Sequence, residues 1–272
     1  AAFQKAIELD PGFAEAQNGL GVSLLVQGKP EEAAVSFENA LKINPQHAEA
    51  HNNLGNVLRN QGRLDEAVAS IERALALAPN LVEAHINLGN ARKSQRKVDD
   101  AAEAYTRALS LDPANPEAHW NFAQVLLLMG RLGEGWAEYA WRTRCEEFSA
   151  VNWNFKQPLW DGSDLDGGTV LLYAEQGFGD TIQFLRYLPM VAAKGGDVIL
   201  QCPAPLMRLL KASPAAAGIQ LVTKIGDAPF DLQAPLHSLP HLFESDMETI
   251  PADVPFLAAE DERVGDWRDR IG

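Results

Sequence analysis

The sequence predicts two architectures in series: an all-α solenoid of paired helices over residues 1–147, and an α/β unit on a parallel sheet over residues 169–272. A docked linker at 148–168 joins them. Three observations carry this reading. Prolines 11, 45, 79 and 113 recur every 34 residues; the apolar period changes from helical to strand-like at Thr169; and a chain of 272 residues, 46% hydrophobic and 22% charged, holds enough apolar side chains for about two cores.

The same numbers exclude other classes. No run approaches the ~18 consecutive apolar residues that a membrane span needs, the longest being short ones such as 125–129 and 169–174. The net charge of −14 is shared, with 14 Lys/Arg against 20 Asp/Glu in residues 1–147 and 9 against 17 in 148–272. Neither half therefore offers the basic footprint of a nucleic-acid partner. Cys145 and Cys202 have no second Cys or His at a ligand spacing, so neither a disulfide framework nor a metal site is indicated, and a cytoplasmic location is the expectation. The first residues, Ala1 to Pro11, lack an initiator Met and a signal-peptide pattern and read as the tail of a helix already under way; the chain is expected to be a fragment.

Within the first half each period-marking proline is preceded by a recurring helix end: Ala-Ile-Glu-Leu-Asp, Ala-Leu-Lys-Ile-Asn, Ala-Leu-Ala-Leu-Ala and Ala-Leu-Ser-Leu-Asp. A 34-residue period is the signature of tetratricopeptide (TPR) helix pairs, and four repeats at 12–45, 46–79, 80–113 and 114–147 follow a partial one. In residues 46–79, Ala50, Leu54, Val57 and Leu58 form one apolar helical face, and Gly55 leaves room for the paired helix. Gly62 ends the first helix, Asp65 starts the second and Pro79 blocks its continuation. Each pair buries its apolar face only by stacking on its neighbours, which predicts a right-handed solenoid with a concave groove.

Asn53, Asn87 and Asn121 occupy one repeat position, and Asn56, Asn90 and Gln124 lie three residues later on the same helical face. Amides in register can hydrogen-bond the backbone of an extended protein or peptide partner without reading its sequence; equally, they can bridge adjacent helices. The series resembles the asparagine ladder in the TPR groove of O-linked N-acetylglucosamine transferases. His51, His85 and His119 also recur at 34 residues, on successive helices rather than on one face, and read as packing residues rather than metal ligands. In the fourth repeat Trp136, Tyr139 and Trp141 replace small residues and offer area to cover the solenoid end.

From Thr169 the pattern is strand (169–174), loop, helix (181–193), strand (197–202), short helix (205–212), strand (219–223) and strand (230–234), closing with a helix over 260–271. Alternation of this kind implies βαβ units on a parallel sheet with helices on both faces. Chemistry in such folds sits beyond the carboxyl ends of the strands. The loop after the first strand, Glu175-Gln-Gly-Phe-Gly-Asp180, has two glycines that let a ligand approach and leads into a helix N-terminus suited to an anion. It lacks the Gly-Lys-(Ser/Thr) of a P-loop and has Ile182 where a dinucleotide fingerprint needs glycine, which disfavours ATP and NAD.

Three stretches, Glu134-Gly-Trp-Ala-Glu-Tyr-Ala-Trp-Arg142, Gln157-Pro-Leu-Trp-Asp-Gly162 and Glu175-Gln-Gly-Phe-Gly-Asp-Thr-Ile-Gln-Phe-Leu-Arg-Tyr-Leu-Pro189, resemble bacterial TPR proteins with a heptosyltransferase-like glycosyltransferase domain. The resemblance implies that the α/β unit is the acceptor-side half of a two-lobed Rossmann-like transferase. The donor lobe, with most nucleotide-sugar contacts, would lie beyond Gly272, so the fragment alone would be inactive and need no cofactor. Gly179-Asp180 matches the pair that supplies the proposed catalytic base, although the proline closing the motif lies further along here. Asp180 then acts either as base and helix N-cap or as N-cap alone. Gln176, Gly177, Gly179, Gln183 and Arg186 join it as substrate-binding candidates, with Arg186 alternatively a surface residue or paired to Glu175; His237 and Ser238, after the fourth strand, are candidates for the same cleft, with a structural loop histidine as the alternative for His237. A non-catalytic TPR scaffold is the alternative.

Overall fold

The computed structural model describes residues 2–145, 155–175, 177–226 and 229–271, and the chain divides into two compact units, 1–145 and 146–272. The first holds nine helices among the described residues: α1 (Ala2–Leu9), α2 (Ala14–Val26), α3 (Pro30–Ile43), α4 (Ala48–Asn60), α5 (Leu64–Leu77), α6 (Val82–Ser94), α7 (Val98–Leu111), α8 (Pro116–Leu128) and α9 (Leu132–Tyr139). The first helices of the repeats (A) are α2, α4, α6 and α8. Each packs on its own second helix (B), on the B helix before it and on the neighbouring A helices. This is a TPR helical solenoid.

Its core follows the period. Ala33, Ala67 and Ala101 are fully buried, as are Phe37, Ile71 and Tyr105 four residues further along each B helix. These larger side chains lie over Gly21, Gly55 and Gly89; a Cβ on Gly89 would come within 2.5 Å of the Tyr105 ring. The fourth repeat exchanges the roles: Ala123 stands at the glycine position, while Gly135 on α9 makes room for Leu127. Tyr139 then packs edge-on against Trp120 and Trp136, and Trp141 stacks on His119 at 3.9 Å.

The turn between A and B helices needs a left-handed residue. Gly28, Gly62 and Gly130 adopt φ of +73°, +77° and +75°, but the third repeat places Arg96 there at φ +62°. A side chain in this conformation costs roughly 1–2 kcal/mol. Arg96 is exposed, so Arg96→Gly is expected to stabilise the unit by about 1 kcal/mol, raising its melting temperature by roughly 2–4 °C in a calorimetric scan. An unchanged or lower value would show that the turn is not strained. Asp65 does not start α5: Leu64 is its first residue, Arg63 holds the cap position without a side-chain cap, and a bidentate Arg63–Glu66 pair at 2.7 and 2.6 Å closes that turn.

The second unit carries a parallel sheet of β1 (Thr169–Tyr173), β2 (Asp197–Gln201), β3 (Gln220–Val222) and β4 (Leu232–Pro235) in the order β3-β2-β1-β4. β1 is central, in register with β2 from Thr169↔Asp197 to Tyr173↔Gln201 and with β4 from Val170↔Leu232 to Tyr173↔Pro235. Val170, Leu171 and Leu172 are buried, as a strand covered on both faces requires. Leu159 bridges to Gln233, with the Trp160 N–H donating to Gln233 O at 2.8 Å, so residues 158–160 run alongside β4. The helix expected at 181–193 is broken: α10 (Phe178–Phe184) gives way to a 3-10 turn at Leu185–Tyr187 and then α11 (Leu188–Ala192). Pro189 is the cause, since its ring cannot donate to and collides with the carbonyl four residues before it. The remaining helices are α12 (Met207–Ala212), α13 (Leu239–Leu242) and α14 (Asp261–Ile271). No helix among the described residues is long and apolar enough to cross a membrane.

Candidate functional site

Two surfaces carry the predicted residues, one in each unit. On the A helices the amides are half-buried and linked from repeat to repeat. Asn53 Nδ2 donates to Asn18 Oδ1 at 3.0 Å, and Asn87 Nδ2 to Asn52 Oδ1 at 2.9 Å. The series then changes, because Ile86 stands where Asn52 stood one repeat earlier. Asn121 turns to its own helix, donating to Glu117 O, and Lys93 Nζ donates to Asn121 Oδ1 at 3.3 Å and to Gln124 Oε1 at 3.2 Å. Asn56 accepts from Arg59 Nη2 at 3.0 Å, and Asn90 accepts from the Tyr105 hydroxyl at 2.7 Å.

The bridging reading of these amides is therefore realised, and it leaves capacity for more. An amide offers two donors and two acceptor lone pairs. Asn53 and Asn87 each spend one donor on the neighbouring helix, so among the described residues their carbonyl oxygens and second N–H groups stay open, held in fixed directions by the bond already made.

Pattern reading passed over four members of this surface. Asn18 and Asn52 lie one residue out of phase with the predicted series. Arg59 and Lys93 do share a repeat position, and their 34-residue spacing was the signal for them. Burial, with Arg59 nearby, holds Lys93 below the usual lysine range. The repeated histidines do more than pack: Nε2 of His51, His85 and His119 meets the carbonyl of Pro45, Pro79 and Pro113 at 3.1, 2.9 and 2.9 Å, tying each A helix to the preceding turn.

In the second unit the strand order reverses between β1 and β4, and the crevice beyond their carboxyl ends is where open α/β sheets take ligands. Glu175 follows β1 and His237 follows β4. They meet there, with His237 Nδ1 3.5 Å from Glu175 Oε2 and side chains only 2% and 9% exposed. Phe184 packs against the imidazole at 4.8 Å. Asp180 is not the helix cap: Gly177 holds that position, and Asp180 is the third residue of α10, half-buried, its carboxylate turned back toward Gly177.

Gly177 and Gly179 both lie outside the left-handed region, and a Cβ on Gly179 would meet nothing within 4 Å. The fold itself does not demand glycine there. Gln176 lies outside the described residues. Gln183 is exposed on α10, while Arg186 does not pair with Glu175: it donates to Pro251 O at 3.2 Å and lies over the Phe256 ring at 4.9 Å. Ser238 is half-buried in the turn that carries His237. No group of three or more His, Cys, Asp or Glu among the described residues is placed to hold a metal ion.

Comparison with known proteins bears on the first unit. Tetratricopeptide-repeat profiles match residues 2–34 and 23–81, and a TPR-repeat profile matches residues 89–130. The protein FlbA of Caulobacter vibrioides is 38% identical over 79 residues, a stretch that is 29% of this chain and 13% of FlbA. The crystal structure of MamA is similar with a TM-score of 0.47 at 25% identity, over 55% of this chain and 88% of that one. PilF of Pseudomonas aeruginosa gives 0.47 at 26%, over 51% and 64%. YrrB, described as a TPR protein with an unusual peptide-binding site, gives 0.46 at 25%, over 56% and 78%. The repeat spacing, the stacked helix pairs and these sequence profiles agree: the helix pairs of the first unit are tetratricopeptide repeats.

Proposed function

We propose that the TPR unit captures an extended segment of a protein partner on its A-helix face, and that the α/β unit is the acceptor-side lobe of a glycosyltransferase using a nucleotide-sugar donor. The half-buried amide series carries the first part: each open carbonyl and N–H is fixed in direction, so little ordering entropy is lost when a peptide backbone bonds to it. The second part is supported by the parallel sheet, by the placement of Asp180 next to the switch between β1 and β4, and by the resemblance of residues 175–189 to heptosyltransferase-like domains.

Both parts have direct tests. For the groove, fluorescence anisotropy of capped peptide pools compares the wild type with Asn53→Ala/Asn121→Ala, leaving Asn87 because its partner Asn52 is buried. Two lost hydrogen bonds of about 0.5–1.5 kcal/mol each predict affinity weaker by roughly 5- to 150-fold. Equal affinity would remove the amides from the binding face. For the lobe, a thermal-shift panel of uridine, guanosine, adenosine and cytidine nucleotide sugars is run on the full-length protein. A donor at ~100 times its dissociation constant adds roughly 2.7 kcal/mol, a readable shift. A folded full-length protein that no donor shifts is a scaffold instead.

A further inference from the structure

In the helical unit Lys29, Arg63, Arg92 and Arg131 each pair with a glutamate at 2.6 to 3.0 Å. Arg59 and Lys93 form no ion pair with any described residue, in a protein whose net charge is −14. Arg59 and Lys93 are half-buried, whereas Lys5, Lys42, Arg73, Arg96, Lys97 and Arg107, which also form no ion pair among the described residues, are exposed. Their polar partners are amides only: Asn56 for Arg59, Asn121 and Gln124 for Lys93. Arg59 Nε is buried with no hydrogen-bond partner at all, an arrangement that costs free energy while it lasts. Both occupy the same position of successive A helices, and burial, with Arg59 nearby, holds Lys93 below the usual lysine range.

We infer that the A-helix face holds an acidic-residue subsite, in which Arg59 and Lys93 together receive the side-chain carboxylate of a Glu or Asp within an extended peptide. The inference rests on the groove reading above and specifies its occupant. One carboxylate between the two cations offers Arg59 the acceptor that its Nε lacks and makes charge-assisted hydrogen bonds to both. The position along the solenoid selects a side chain over a chain terminus. Asn18 and Asn53 lie on one side of the pair and Asn121 and Gln124 on the other, so amide rungs are available to the peptide backbone in both directions. A terminal carboxylate at the pair would leave one set of rungs empty.

The test uses peptide pools of roughly eleven residues, long enough at ~3.3 Å per residue to cross three helices spaced ~10 Å apart. The pools are acetylated and amidated, with random flanks and a central Glu, Gln or Lys; a further pool is Gln-centred with a free C-terminus. Affinities are read by anisotropy against wild type, Arg59→Gln and Lys93→Gln. The expected result is Glu over Gln by about tenfold or more, Lys weakest, and a preference lost in either variant while Gln-pool affinity persists. Both variants are expected to keep the wild-type helical circular dichroism, which separates lost recognition from lost fold. Equal Glu and Gln affinities, or a preference that survives both substitutions, overturns the subsite while leaving the groove standing. Tightest binding of the free-terminus pool overturns it in favour of a terminal carboxylate. Failure of every pool to bind the wild type overturns the groove reading and the subsite together.

Discussion

Truncating Tyr105 to alanine is expected to destabilise the helical unit by about 3–5 kcal/mol in urea unfolding followed by helical circular dichroism. The side chain is fully buried, its ring fills the space left by Gly89, and Phe122 of the next repeat lies 6.3 Å away. A cavity there opens between α6, α7 and α8. Because a solenoid is held by nearest-neighbour stacking, the damage uncouples the repeats on either side instead of remaining local. Tyr105→Phe keeps the ring and removes only the 2.7 Å bond to Asn90, so it should cost about 0.5–1.5 kcal/mol. Burial also raises the phenol pKa above its ordinary value, which keeps the hydroxyl a donor to Asn90 well into alkaline solution. A loss below 1 kcal/mol for the alanine variant would mean that the third repeat contributes little to the stack.

The contrast between Tyr105 and the amides shows where the sequence was readable. Small residues at one repeat position and large ones at another follow the 34-residue period, so Gly55 facing Ile71 could be placed from the pattern. The polar bonds do not follow it. Asn53 reaches Asn18 and Asn87 reaches Asn52, each across 35 residues, one more than the period. Stacking advances each helix relative to the last, and the residues that touch are not the ones that align. A series read by alignment therefore finds Asn53, Asn87 and Asn121 and misses the partners that hold them.

In the α/β unit β1 and β2 were legible because burial makes their centres continuous apolar runs. The site was less so. Glu175 and His237 meet because β4 lies beside β1, a neighbour relation set by strand order, which no local pattern encodes. The alternative pairing of Arg186 with Glu175 does not form, because Arg186 lies in the 3-10 turn where the helix breaks before Pro189 and ends against Pro251 and Phe256.

Under the proposed function, Asp180→Asn in the full-length protein should lower donor turnover by about 10²- to 10⁴-fold, measured as release of the nucleoside diphosphate. In an inverting transfer one carboxylate takes the proton of the acceptor hydroxyl as that oxygen attacks the anomeric carbon and the nucleoside diphosphate departs. Two carboxylates stand near the switch between β1 and β4, and exposure decides between them. Glu175 is 9% exposed and faces His237, itself 2% exposed, so neither is open to an acceptor. Asp180 is half-buried in the first turn of α10. Because Gly177 and not Asp180 is the cap, the asparagine variant should melt within about 0.5 kcal/mol of the wild type, which separates lost chemistry from lost fold. His237→Asn should behave differently, losing stability first, since it empties a site packed against Phe184 and Glu175. Undiminished turnover in Asp180→Asn, with a large loss in a still-folded His237→Asn, would transfer the base to the buried pair.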